Sequence, residues 1–368
     1  MGNEKLKNIG LALSGGGIRA MLFHLGIFKW LAEQGLMEQV KKVSTVSGAS
    51  LCVGMIYSYS NLSWPTSDDF ISKALPAIKK ALNTSLHKWA LLNLPITPSC
   101  WFNKTKIISG VLERKWGVYG NLQDLSGNVT WYVNCTTFET GKRFRFCQKD
   151  MGDYTLGYVR KPQIKISEIM AASAGFPIFI GPYKLKIAGY NWTPYDERVS
   201  YSPPNYKYIH LWDGGVYDNL GVESIFKQAN GGSTSAGVDF MIISNASEPL
   251  TTHARNGIRA IKNTRRLLNI ALDQISALRT RTVMEYINSA GQGMFLKIGN
   301  SAEYITKKSN CSDALRSNLI DNCLPSESAL IAQNYKTGLK RPSVADYNLI
   351  LQHGYEVAKC TYQCYVER

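Results

Sequence analysis

Three consecutive glycines after a short apolar run constrain this chain more than any other feature. Ile9-Gly10-Leu11-Ala12-Leu13 ends in Ser14-Gly15-Gly16-Gly17. Ile18 to Glu33 then carries Met21, Leu22, Leu25, Phe28, Trp30 and Leu31 at helical spacing. Gly35 follows as a helix stop. Val43-Ser44-Thr45-Val46-Ser47 is a short β-branched run, Gly48-Ala49-Ser50 a turn, and Leu51–Ile56 is apolar enough for a buried helix. Strand and helix alternating around glycine turns predict an α/β fold with a mostly parallel central sheet.

Each turn carries chemistry. In a loop such as Gly15-Gly16-Gly17, N–H groups point outward at a helix N-terminus, where a phosphate or a developing oxyanion is stabilised. A plain tight turn is the competing reading. In Gly48-Ala49-Ser50-Leu51-Cys52 the expected nucleophile is Ser50, exposed on a strained strand-to-helix elbow with Gly48 giving the close approach. Cys52 replaces the usual final glycine of that pattern, and a helix N-cap serine is the bland alternative. Asp213-Gly214-Gly215 follows the strand Tyr208–Trp212 and can place a carboxylate at an open strand end. A turn aspartate bonded to its own backbone is its ordinary fate, and Asp218 is a rival for the same role. Of the five histidines, His24, His87, His210, His253 and His353, none stands in a recognisable motif, so a histidine-assisted triad is disfavoured.

The rest of the chain is less patterned. Residues 61–125 are Trp-rich and Pro-punctuated, and the apolar stretch Leu91–Phe102 suits a cover over a site. Trp131–Thr137 and Arg143–Cys147 flank Glu139-Thr140-Gly141-Lys142 as a hairpin. Phe240–Ser244 reads as a strand and Ile258–Ile287 as a long basic helix with Ile261, Leu268, Leu272, Ile275 and Leu278 as an apolar stripe. We expect a catalytic domain over 1–300, with a cover-like insertion at about 61–125, and a C-terminal extension over 301–368 packed on it.

The balance of 42 basic and 27 acidic residues, a net charge of +15, favours an anionic partner such as a membrane surface or a phosphorylated molecule. The basic stretch with Arg259, Lys262, Arg265 and Arg266 is the candidate contact, against the reading of a solvated helix face. The start lacks a signal-peptide core and no run approaches a membrane span. These features predict a cytoplasmic, peripherally membrane-associated protein with reduced thiols among its 8 cysteines. Cys360 and Cys364, four apart, fall on one helix face and read as two buried or surface thiols.

Taken together, Gly15-Gly16-Gly17-Ile18-Arg19, Gly48-Ala49-Ser50 and Asp213-Gly214-Gly215 resemble the patatin family of lipid acyl hydrolases. Ile169-Met170-Ala171-Ala172-Ser173-Ala174-Gly175-Phe176-Pro177, Asn134-Cys135-Thr136-Thr137, Thr140–Phe146 and Leu272–Arg279 are similar to further family segments, so the likeness runs over about residues 7–290. The resemblance implies a three-layer α/β/α fold and a Ser50–Asp213 dyad without cofactor or metal. It also implies an oxyanion loop at Gly15–Gly17 supported by Arg19, Gly48, Gly214 and Gly215. In that scheme Asp213 takes the Ser50 proton, Ser50 attacks a phospholipid ester, and water later cleaves the acyl-enzyme. Some bacterial members are antiviral effectors switched on by cyclic oligonucleotides, so such an activator is an expected partner, with homo-oligomerisation left open and no specific DNA or RNA binding. The alternatives are an esterase or lysophospholipase without nucleotide control, and a dinucleotide-binding protein using Gly15-x-Gly17-x-x-Ala20. The dinucleotide reading fails at the second strand, where Ser47-Gly48-Ala49-Ser50 stands in place of the required acid.

Overall fold

The computed structural model describes residues 6–83, 104–175, 181–196, 198, 201–202, 204–228, 232–250 and 260–367. The expected alternation is present: β1 (Ile9–Leu13), α1 (Gly17–Glu33), β2 (Val40–Val46) and α2 (Gly48–Ser58). The strand β2 starts earlier and stops earlier than its β-branched run suggests, because pairing with its neighbours sets its length. It runs parallel to β1 on one side and to β3 (Thr130–Thr137) on the other, and its last paired residue is Val46, opposite Asn134.

Beyond β3 come α3 (Ile166–Ser173) and a run of antiparallel strands: β4 (Arg143–Phe146), β5 (Asp150–Asp153), β6 (Gly157–Arg160), β7 (Tyr183–Lys186), β8 (Trp192–Thr193) and β9 (Tyr208–Asp213). Next along the chain, β10 (Phe226–Lys227) and β11 (Ser233–Thr234) form a separate small hairpin. Then β12 (Phe240–Asn245), the long helix α4 (Ala260–Ala290) and β13 (Gly293–Lys297) complete the sheet. Its five central strands, in the order β13-β12-β1-β2-β3, are all parallel. Four helices close the described chain: α5 (Ala302–Lys308), α6 (Asp313–Asp321), α7 (Ser326–Asn334) and α8 (Val344–Tyr365).

Helices cover both faces, giving the three-layer α/β/α arrangement. Leu11 and Val43 lie on the face packed by α1, α2, α3 and α8, where the larger core includes Phe23, Trp30, Trp131 and Ile350. Ala12 lies on the other face, in a smaller core with Met241, Ile243, Leu220, Val222 and Val283. Burial of side chains such as these, worth about 1.5–3 kcal/mol each, is what holds the layers together.

The helix α4 departs from the expected apolar stripe. Val283 is its fully buried apolar residue among those described, whereas Leu267 and Leu278 are 67% and 58% exposed. Arg259 and the apolar cover Leu91–Phe102 lie outside the described residues, as do the side chains of Lys262 and Arg265.

One feature of the topology positions the site. The strand β9 runs antiparallel to β3 along its last residues, with Asp213 opposite Cys135. The adjacent residue of β3, Asn134, pairs with Val46 at the end of β2. The long strand β3 is thus a template on which β2 and β9 meet end to end, and this brings Asp213 to the residue that follows Val46.

Candidate active site

That residue is Ser47, and its backbone carries the strain expected of an elbow. Its φ of 52° and ψ of −116° place a non-glycine side chain in a sparsely populated region. It stands between the end of β2 and the first turn of α2, and its side chain is partly exposed. The Ser47 hydroxyl faces the Asp213 carboxylate closely enough to lower its pKa. A strained, accessible serine held against a strand-end aspartate is the geometry of an activated hydroxyl.

Ser50 does not occupy the elbow, which corrects the sequence expectation. It lies within the first turn of α2, is 0% exposed, and its Oγ sits 2.9 Å from both Thr45 Oγ1 and Ser173 Oγ. A hydroxyl sealed in the core with two oxygen partners has no path to an ester. The reason for the offset is physical: the turn falls where sheet pairing ends, at Val46, and not where the Gly-x-Ser letters suggest.

Beneath the elbow lies a small network of hydroxyls. Ser173, at the end of α3, accepts from the Ser47 backbone N–H at 3.0 Å and donates to the Asn134 carbonyl at 2.8 Å. Thr45 Oγ1 accepts from Trp131 Nε1 at 2.9 Å. Ser173 was visible in the sequence only as one member of a small-residue segment. Ser173→Ala leaves the Ser47 N–H and the Asn134 carbonyl without this partner, at about 1–3 kcal/mol per buried group. The expected outcome is a lowered melting temperature and a kcat reduced about tenfold with KM little changed, read by steady-state kinetics.

The glycine loop packs directly on the elbow. A Cβ on Gly48 would lie 2.1 Å from the Gly17 carbonyl oxygen, so only glycine permits this approach of α2 to α1. Gly17 has φ +62°, and a Cβ there would meet the Gly338 carbonyl oxygen at 2.5 Å. The expected oxyanion donors divide accordingly. The Gly15 N–H donates to the Asn219 carbonyl and the Ile18 N–H to the Gly338 carbonyl at 2.9 Å, so both are engaged. Among the described residues the N–H groups of Gly16 and Gly17 meet no acceptor, and they open the positive end of α1. The loop therefore offers Gly16 and Gly17, with Gly15 in a structural role.

Arg19 braces this loop from within. It is fully buried, donating Nε–H to the Ala246 carbonyl at 3.1 Å and Nη1–H to the Tyr335 carbonyl at 2.6 Å, with Glu248 at 3.6 Å. Tyr335 and Gly338 belong to the strap between α7 and α8, so the C-terminal helices help to hold the glycine loop.

Asp213 is 2% exposed, and burial pushes its carboxyl up to about 6, opposed by hydrogen bonds from the Gly215 N–H at 2.7 Å and from Ser47. Gly214 packs against the Asn134 carbonyl, fixing the turn that follows β9. Asp218, the rival acid, is also buried, but it faces Arg279 at 3.6 Å and accepts from the Leu220 and Glu223 N–H groups. It stabilises the loop after Asp213 and does not reach Ser47.

The histidines are elsewhere. His24 is buried between the Ser14 carbonyl and the Ser244 hydroxyl, and burial lowers its pKa to about 4. His353 accepts from the Gly299 N–H, with its pKa likewise lowered to about 4 by burial. His210 pairs with Glu139 at 2.6 Å. Among the described residues no histidine touches Ser47 or Asp213; His87 and His253 lie outside them.

The strained serine elbow, the strand-end aspartate and the glycine loop at a helix N-terminus thus gather at one end of a parallel α/β sheet, which defines a class of three-layer α/β/α proteins. The chain belongs to the patatin-like phospholipase family, whose model matches residues 11–226. Among solved structures it is similar to human GIVD cytosolic phospholipase A2, at 12% identity and a TM-score of 0.54, covering 99% of this chain and 61% of that one. It also resembles VipD from Legionella pneumophila at 12% identity and a TM-score of 0.42, covering 98% of this chain and 67% of that one. At such identities the likeness is one of fold, and the chain spans 61% of the length of the human phospholipase chain. No curated protein matches the sequence.

Proposed function

We propose that this protein is a lipid acyl hydrolase in which Ser47 is the nucleophile and Asp213 the general base. The observation that carries the reading is the junction of β2 and β9 on β3, which sets a strained, accessible Ser47 facing a buried Asp213 whose pKa is raised to about 6. A base with that pKa is ionised at neutral pH yet basic enough to take a proton as the hydroxyl attacks an ester carbonyl. The tetrahedral oxyanion is received by the Gly16 and Gly17 N–H groups at the α1 N-terminus. The leaving alcohol takes the proton from Asp213, and a water, deprotonated by the same carboxylate, releases the fatty acid from Ser47.

A phospholipid substrate agrees with the family, with the +15 net charge and with the exposed Leu267 on α4 beside the partly exposed Arg266, with Leu278 exposed further along the helix. Leucines flanked by cations suit an interfacial helix approaching an anionic bilayer from the side. No helix among the described residues is long and apolar enough to cross a membrane. Control by a cyclic oligonucleotide, as in an antiviral effector, would act through the same basic stretch and is a separate proposal. It fails if hydrolysis proceeds at full rate without nucleotide.

The deciding experiment follows a fluorogenic phospholipid presented in anionic vesicles, together with labelling by a long-chain fluorophosphonate. The expected result is fatty-acid release and a single phosphonyl adduct on Ser47, read by peptide mass mapping. An adduct on Ser50, or none on a protein that hydrolyses the lipid, would overturn the assignment.

A further inference from the structure

Four of the 8 cysteines fall within residues 311–364, and the fold pairs them two by two. Cys323 Sγ lies 3.7 Å from Cys360 Sγ, and the Cys311 thiol lies near enough to Cys364 for Cys364 to help lower its pKa. Cys360 and Cys364 are fully buried, one turn apart on α8. Cys311 and Cys323 flank α6 and are partly exposed. Each pair therefore joins an accessible thiol beside α6 to a buried thiol on α8. The other described cysteines, Cys52, Cys135 and Cys147, are buried, and none of them contacts a thiol among the described residues.

We propose that these residues are an oxidation site that closes into two disulfides, Cys323–Cys360 and Cys311–Cys364, stapling α6 and the strap to α8. A bonded sulfur pair is about 2.05 Å apart, so Cys323 and Cys360 need to approach by less than about 2 Å, within the reach of side-chain rotation. The division of exposure matches the chemistry. The accessible Cys323 thiol is lowered by the hydrogen bond from Cys360, and that same bond, together with burial, raises Cys360. Burial opposes ionisation of Cys311, but its bonds with Ser309 and Cys364 and the nearby Arg316 lower it. Accessible thiols with a lowered pKa beside a second thiol are the ones that peroxides oxidise.

With hydrogen peroxide as oxidant, the Cys323 thiolate attacks one peroxide oxygen. The O–O bond breaks, one water leaves and a sulfenic acid forms. The Cys360 sulfur then attacks the Cys323 sulfur, and the hydroxyl departs as a second water with the Cys360 proton. Two thiols and one peroxide thus give one disulfide and two waters, and the Cys311–Cys364 pair follows the same course. Zinc held by thiolates is the rival for clustered cysteines. Among the described residues no three His, Cys, Asp or Glu side chains gather at metal-holding distances, so two pairs fit the arrangement and a tetrad does not.

The consequence lies in what the bridges enclose. The segment from Cys323 to Cys360 contains α7 and the strap, whose Tyr335 and Gly338 carbonyls hold Arg19 and the Ile18 N–H. Oxidation would fix both ends of that segment and so hold the strap on the glycine loop. The bridges themselves do not depend on the hydrolytic assignment.

The test treats the folded, full-length chain with hydrogen peroxide, blocks residual thiols, and maps bridged peptides by mass spectrometry without reduction. The expected result is a loss of four hydrogens and the two stated linkages alone. The melting temperature should rise by on the order of 5–10 °C over the reduced protein and return on reduction. Cys360→Ser should lose only the first bridge and Cys364→Ser only the second. A Cys360–Cys364 linkage, scrambled pairs, no hydrogen loss in the folded wild type, or stoichiometric zinc in the purified protein would each overturn the proposal.

Discussion

Ser47→Ala is expected to lower kcat/KM for a phospholipid by on the order of 10⁴-fold or more, the loss usual when a nucleophilic hydroxyl is removed from an otherwise intact site. Ser50→Ala should remain within about tenfold of wild type. It loses a buried bond worth about 1 kcal/mol, but Thr45 keeps its bond from Trp131, and Ser173 keeps both Ser47 and Asn134. Circular dichroism and melting curves should show both variants folded, so that activity separates them. The reverse pattern, with Ser50→Ala dead and Ser47→Ala active, would remove the elbow assignment altogether. Relief of the strained backbone adds a second readout: Ser47→Gly should be as inactive as Ser47→Ala but more stable, because glycine tolerates φ of 52°.

The second large effect belongs to Asp213→Asn. Amide for carboxylate keeps the shape and the bond from the Gly215 N–H but removes the proton acceptor, and a loss on the order of 10³–10⁴-fold in kcat is expected. Stability should move the other way. Burial raises the folded Asp213 pKa to about 6 from an ordinary 3.8, so the native chain binds this proton more tightly than the unfolded one. The stabilisation is complete below about pH 4 and is lost as pH rises towards 6. At neutral pH the ionised, buried group therefore costs on the order of 3 kcal/mol. Asp213→Asn abolishes that cost, and its melting temperature at pH 7.5 should exceed that of wild type by a few degrees. Hydrolysis by the wild type should rise with pH through about 6 as the carboxylate ionises. A pH profile flat between 5 and 8 would exclude Asp213 as the base.

These effects rest on contacts of different legibility. The strand–glycine–helix unit from Ile9 to Glu33 could be read directly, because an apolar run, a glycine turn and a helical stripe are all local patterns. Asp213 could be read as a strand-end acid for the same reason. The choice between Ser47 and Ser50 could not, since both lie within four residues of one apolar stretch. It turned on where β2 stops pairing with β3, and the partner strand lies far along the chain. Ser173, Gly338 and the thiol pairs had no local signal, because each acts through a residue distant in sequence. The basic stretch of α4 shows the opposite limit. Its helical period was plain, yet Leu267 and Leu278 face outward, because period alone does not say whether a neighbour covers the stripe.

The fold class, the family likeness and the order of the three glycine-bearing segments are legible in the chain itself, because all of them depend on patterns within a few residues. Only the folded chain shows which serine stands at the elbow, which glycine N–H groups remain open, and that Asp218, the rival acid, is turned to Arg279. The physical reason is strand pairing. Along β3, the ends of β2 and β9 meet, and that junction makes Ser47 and Asp213 neighbours while Ser50 turns into the core.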